Sequence, residues 1–126
     1  MTDLSSRNEY HTIGRWSVSG RTLTIEQDPH NGIYRVWMRV KLADDHPSVW
    51  VCAISFDLMD ACQQLEGKIH IMSQTLFALD HFDELRGLDE LANDVCRFGW
   101  NVARPLQGKG IPEWVERKDF EPVEGV

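Results

Sequence analysis

The hydrophobic period of this chain changes once, and that change limits the folds open to it. Up to about residue 56 apolar side chains tend to alternate with polar ones, and beyond about residue 65 they recur at every third and fourth position. The first pattern belongs to half-buried strands and the second to helices with one apolar stripe. Strands followed by helices, rather than interleaved with them, predict an α+β fold.

The clearest strand runs from Ile33 to Leu42. Tyr34, Val36, Met38, Val40 and Leu42 share one face, and Arg35, Trp37, Arg39 and Lys41 share the other. Upstream, Ile13, Trp16 and Val18 precede Ser19-Gly20, and Thr22–Glu26 alternates cleanly. Asp28-Pro29-His30-Asn31-Gly32 predicts a turn, because proline presets φ and Asn-Gly accepts positive φ. Val49 to Phe56 predicts a further strand with Trp50, Cys52, Ile54 and Phe56 on one face. The residues between them are only weakly polar, so this strand is expected to be central and covered on both sides. Turns of four to six residues between such runs predict an antiparallel meander of four or five strands.

Residues 57–67 read either as a short helix around Ala61–Leu65 or as an edge strand. Leu65, Ile69, Met72, Leu76, Leu79 and Phe82 form one stripe, which predicts a long helix over Ile69–Arg86 with Gly87 as its stop. A shorter helix is predicted over Leu88–Phe98, with Asp89 and Glu90 in its first turn and Gly99 at its end. The long stripe is expected to cover the Trp50/Cys52/Ile54/Phe56 face. Pro105, Gly108, Gly110, Pro112 and Pro122 leave residues 99–126 as an irregular tail, pinned to the body by Ile111 and Trp114. The first eleven residues are expected to be flexible, with a strand-rich part over 12–57 and a helical part over 65–98. At 126 residues and 42% hydrophobic content, all of this fits one domain with a real core.

Charge is the second constraint. Residues 42–96 hold eleven acids and two bases, whereas residues 1–41 carry a net +2 and residues 97–126 a net zero, within a chain of net charge −7. Such a field disfavours direct binding to DNA, RNA or anionic lipid and favours a basic protein or nucleoprotein partner. No apolar run is long enough for a membrane span. The opening residues Met1–Ser6 lack the basic and apolar regions of a signal peptide, which leads us to expect a cytosolic protein. Cys52, Cys62 and Cys96 are odd in number and widely spaced, which reads as three small buried residues in a reducing compartment.

No catalytic, cofactor or metal motif accompanies this pattern. His70 and His81 lie eleven residues apart on the predicted helix, roughly 16 Å of rise, too far to share a metal. His30 and His46 fall in predicted turns beside Asp28, Asp44 and Asp45, where they read as exposed turn residues. There is no G-x-S-x-G elbow, no calcium loop, and the Gln107–Pro112 segment lacks the leading glycine and trailing Ser/Thr of a phosphate loop. The neighbouring acids Asp44-Asp45, Asp83-Glu84 and Asp89-Glu90 do not face each other across a cleft. The Arg35-Trp37-Arg39-Lys41 face is the one nucleic-acid-like feature, but the surrounding field opposes phosphates. It reads best as a solvated face with Arg stems along Trp37.

What stands out is a helical arm over residues 80–94 with Asp80, Asp83, Glu84, Asp89, Glu90 and Asp94 against Arg86 alone. Helices made for solubility usually pair acids with Lys or Arg at i+4; here like charges accumulate. In size and charge the chain resembles the small acidic inhibitors of bacteria and their phages, among them toxin-immunity proteins and inhibitors of nucleic-acid-guided defence complexes. That resemblance rests on composition. It implies a non-catalytic inhibitor that occludes a basic, nucleic-acid-binding surface of a partner. The six acids would be its contact residues and Trp37, or an aromatic of the tail, its apolar anchor. Two alternatives stand beside it. One is a small enzyme or ligand-binding domain with a pocket between sheet and helix lined by Trp50, Phe56, Met72 and the histidines. The other is an adaptor subunit that assembles through a sheet edge such as Thr22–Glu26.

Overall fold

The structure, a computed structural model, describes residues 9–41, 47–78 and 82–123, with the backbone alone for 76–78 and 82–85. It is an α+β fold. Strands β1 (His11–Val18), β2 (Arg21–Gln27), β3 (Tyr34–Lys41) and β4 (Ser48–Ser55) form an antiparallel meander in the order β1-β2-β3-β4. Helices α1 (Leu58–Ala78) and α2 (Phe82–Phe98) pack on one face of that sheet. The expected meander is therefore present, with four strands.

The turns follow their residues. Between β2 and β3 the Asp28 amide donates to the Ile33 carbonyl and the Gly32 amide to the Asp28 carbonyl, each at 2.9 Å, and Gly32 sits at φ 77°. Register then sets the core. Val36 pairs with Ala53 and Met38 with Val51. These four side chains point to the helices with Leu23, Ile25 and Val40, all 6% exposed or less. Leu58, Ala61, Cys62, Leu65 and Ile69 of α1 and Leu88, Leu91, Ala92, Val95 and Phe98 of α2 close the other side, each 1% exposed or less.

Four sequence expectations change in the folded chain. First, β4 is an edge strand, not a central one. Its core side is Val51 and Ala53, while Trp50, Ile54 and Phe56 are 58%, 49% and 70% exposed. Alternation fixes which residues share a face but not which face is covered, and the pairing with β3 decides it. Second, α1 begins at Leu58, so residues 58–67 are helix. Asp57 caps it, its carboxylate accepting from the Asp60 amide at 3.1 Å and its carbonyl from the Ala61 amide at 3.0 Å. The first helix is described to Ala78 and the second from Phe82, and Gly87 sits inside α2 rather than after a helix.

Third, Gly99 does not end a helix. The chain continues as a π-helical turn over Gly99–Ala103 and a short helix Arg104–Leu106. A Cβ at Gly99 would meet the Met59 Sδ at 2.9 Å and the Cys62 Cβ at 3.3 Å, so glycine is there for the close approach to α1. Fourth, the tail is held at more places than expected: Trp114, though 74% exposed, packs edge-on against Trp100 with ring centroids 4.9 Å apart, while Ile111 stays half-exposed. Val115 is buried and Phe120 stacks edge-on against Phe98 at 5.4 Å, and these residues hold it as well. Beyond them the Ser17 amide donates to the Glu121 carbonyl and the Val123 amide to the Arg15 carbonyl, both at 2.8 Å, so the tail lies along β1. The Thr22–Glu26 strand, β2, is consequently interior and offers no edge for assembly.

Candidate functional site

Among the described residues no helix lies on the outer face of the sheet, and alternation fills it with cations and aromatics. β1 contributes Arg15, β2 contributes Thr22, Thr24 and Glu26, β3 contributes Arg35, Trp37 and Arg39, and β4 contributes Trp50 and Cys52. The Trp37 and Trp50 rings pack together with centroids 4.5 Å apart, tilted by 42°. Arg39, directly opposite Trp50 in the register, lays its guanidinium 4.4 Å over that indole. A cation over an indole face is attracted by the ring quadrupole, so the pair and the arginine hold one another in place.

Glu26 organises one side of this surface. Its Oε1 accepts from the Trp37 Nε1 at 2.7 Å and from the Arg35 Nε at 2.9 Å. The Arg35 guanidinium lies in turn 4.0 Å from the centre of the Tyr10 ring. A groove of about 290 Å³ lies here among Glu26, Arg35, Trp37, Trp50 and Cys52. Because Glu26 neutralises Arg35, this end carries little net charge. Burial pushes the Cys52 thiol above its ordinary pKa against the pull of Arg35 and Lys68, so the thiol stays protonated and unreactive at neutral pH.

On the other side of the indole pair lies a groove of about 440 Å³. Three arginines, Arg15, Arg21 and Arg39, line it together with Val123 of the tail, and the Arg21 guanidinium also donates to the Ser19 carbonyl at 3.5 Å. Among the described residues none of the three forms an ion pair. Thr24 also lines it, between Arg15 and Trp37 in the register. Its residue is fully buried and its hydroxyl has no hydrogen-bond partner. A buried polar atom left unpaired costs about 1–3 kcal/mol, and such a group calls for an explanation.

Of the acidic arm, folding takes Asp94 and Asp89 into internal contacts. Asp80 lies outside the described residues, and for Asp83 and Glu84 only the helical backbone is described. Asp89 accepts from the Ser73 hydroxyl at 2.7 Å and lies 3.8 Å from the His70 Nδ1. Glu90 is exposed. Asp94 is not available to a partner: it is 9% exposed and bound from three directions. The Ser19 hydroxyl donates to it at 2.6 Å, the Lys118 Nζ at 2.9 Å and the Arg97 guanidinium at 3.1 Å. Burial works to raise its pKa, but these hydrogen bonds outweigh that and hold the carboxyl below its ordinary value. The cluster joins the β1–β2 turn, where Ser19 has φ 49°, to α2 and the tail. Sequence could not show this, because the three partners lie 75, 24 and 3 residues away.

Among the expected contact residues whose side chains are described, Trp37 is thus the one that lines a groove, and it stands with Trp50, Arg15 and Arg39 rather than with the acids. The signal for this surface was the Arg35/Trp37/Arg39/Lys41 alternation; the contribution of Trp50 was hidden by the expectation that it faced a helix.

The other chemical candidates are structural. Asp28 lies in the β2–β3 turn, its carboxylate accepting from the His30 amide at 2.8 Å. His46, His81, Asp44 and Asp45 lie outside the described residues. Among the described residues no three His, Cys, Asp or Glu side chains are grouped to hold a metal ion. Cys62 is buried, and desolvation pushes its thiol up to about 12. The space between sheet and helices is occupied by the core side chains, while Trp50 and Phe56, expected to line a pocket there, lie on the opposite side or in solvent. No described helix is long and apolar enough to cross a membrane. Compared with known proteins, the chain matches no family model, no curated protein and no solved structure.

Proposed function

We propose that this chain is a non-catalytic binding domain that docks the outer face of its sheet on a protein partner, as an inhibitor or adaptor would, in a cytosolic setting. The observation that carries this reading is the Trp37–Trp50 pair. Trp50 is 58% exposed on a sheet face that none of the described elements covers, with Arg39 over its ring. Exposed tryptophan beside arginine is the composition of interface hot spots. A continuous apolar and aromatic patch on a small protein marks a contact site more often than scattered single residues do.

A second reading keeps the acidic helical layer as the docking surface against a basic partner. It is favoured by the −9 segment of residues 42–96 and by the exposure of Glu90. Asp94 no longer belongs to it.

Quantitative capture from the native host separates the two. Wild-type protein, Trp50→Ala and the triple variant Asp83→Lys/Glu84→Lys/Glu90→Lys are compared after circular dichroism confirms their folds. A partner lost with Trp50→Ala and retained by the triple variant supports the sheet face. The reverse pattern transfers the function to the acidic helix. A wild-type protein that retains no partner overturns both.

A further inference from the structure

We infer that the groove over the Trp37–Trp50 pair receives a short acidic peptide segment of the partner, its carboxylates on Arg15, Arg21 and Arg39. This rests on the proposed docking of the sheet face and adds the chemistry of what docks there. Charge complementarity points to it first. Within a chain of net charge −7, three guanidiniums converge on one groove of about 440 Å³ and, among the described residues, none is neutralised by an ion pair. Guanidinium forks match carboxylates with two parallel hydrogen bonds.

The second observation is independent of the arginines. The Thr24 hydroxyl lines the same groove, fully buried and without a partner. Across the strands it lies beside Arg15 on one side and Trp37 on the other. A carboxylate seated between Arg15 and Arg39 would lie beside this residue, and a turn of its side chain about χ1 would bring the hydroxyl the acceptor it lacks.

The same geometry disfavours single-stranded nucleic acid, which would also meet arginine and tryptophan. Base binding needs open indole faces. Here Trp50 already carries the Trp37 ring at 4.5 Å and the Arg39 guanidinium at 4.4 Å. The positive charge is also short. Past Trp37 the adjoining groove contains Glu26, which neutralises Arg35. A phosphate chain continues beyond one groove onto a surface of little net charge, whereas a peptide needs only two or three carboxylates. The indoles and Val123 add apolar contact, so acids interspersed with apolar residues suit the surface best.

The test is an NMR titration of the full-length ¹⁵N-labelled protein with three probes: hexaglutamate, a ten-nucleotide oligothymidylate and hexalysine. The expected result is that hexaglutamate shifts the Trp37 and Trp50 indole N–H signals, and that Arg39→Gln and Arg15→Gln each weaken this about tenfold, the cost of one charge-assisted contact. Amide spectra confirm that each variant is folded, and Arg21→Gln serves if either is not. Tighter binding of the oligothymidylate at the same signals overturns the peptide assignment while leaving the sheet face as the docking surface. Shifts with hexalysine alone, or with no probe, overturn the inference. The docking reading itself is decided separately, by the capture experiment with Trp50→Ala.

Discussion

The two faces of the sheet are made by the same strands, residue by residue in alternation, and they serve opposite ends. On the inner face Val36, Met38, Val40, Val51 and Ala53 are 6% exposed or less and meet an apolar layer of helix. On the outer face Arg35, Trp37, Arg39 and Trp50 meet one another, Glu26, Tyr10 and solvent. The inner face gains from removing apolar area from water, at roughly 25 cal/mol per Å². The outer face holds its large rings half in water, through stacking and cation–π contacts that contribute about 1 kcal/mol each. Stability is therefore concentrated on one side of a single layer, which leaves the residues of the other side less constrained by folding.

That contrast can be broken most forcefully from the inside. Ile69→Ala removes a fully buried side chain between α1 and the sheet and should cost about 3 kcal/mol, read as a fall in the denaturant midpoint. Asp94→Asn comes next. With one of its oxygens unable to accept from Lys118 and Arg97, we expect a loss of about 2 kcal/mol at neutral pH. Its folded pKa is depressed below the unfolded value of about 3.9. The stabilisation is therefore present above about pH 4 and is lost as pH falls through the folded pKa. Acid unfolding curves should show wild type and Asp94→Asn converging at low pH, with Asp57, also depressed, first by its hydrogen bond from the Asp60 amide, leaving a residual slope in both.

Smaller effects sharpen the comparison from the outside. Trp50→Ala should change stability by no more than about 1 kcal/mol yet weaken partner binding at least about tenfold. An equal loss of stability and affinity would show that the outer ring is part of the core after all. Glu90→Lys, on the exposed side of α2, should stay within about 0.5 kcal/mol of wild type and leave sheet-face binding intact. A large effect on affinity would restore the acidic arm.

Much of the fold was legible in the chain. The β3 faces, the Asp28–Gly32 turn and the helical character of 69–78 and 88–98 follow from period and turn chemistry alone. The misreadings share one cause. Trp50, Ile54 and Phe56 are bulky and apolar, and bulk was taken for burial, although a four-stranded sheet with one helical layer must leave one face open. Gly87 and Gly99 were read as stops because glycine often follows a helix; one is tolerated inside α2 and the other answers to Met59. The acidic arm looked like a surface because one-dimensional charge counting cannot see Ser19 and Lys118 arriving at Asp94.

The amino-acid sequence by itself determined the kinds of element, their order and the residues that share each face, because φ/ψ preferences and side-chain periodicity act within a few positions. Only the tertiary structure decided which face of β4 is covered, which acid is an internal partner and which arginines converge on the Trp37–Trp50 pair. Those outcomes depend on contacts between residues far apart in the chain, such as Met38 with Val51, Ser19 with Asp94, and Arg15 with Thr24, and no local preference carries them.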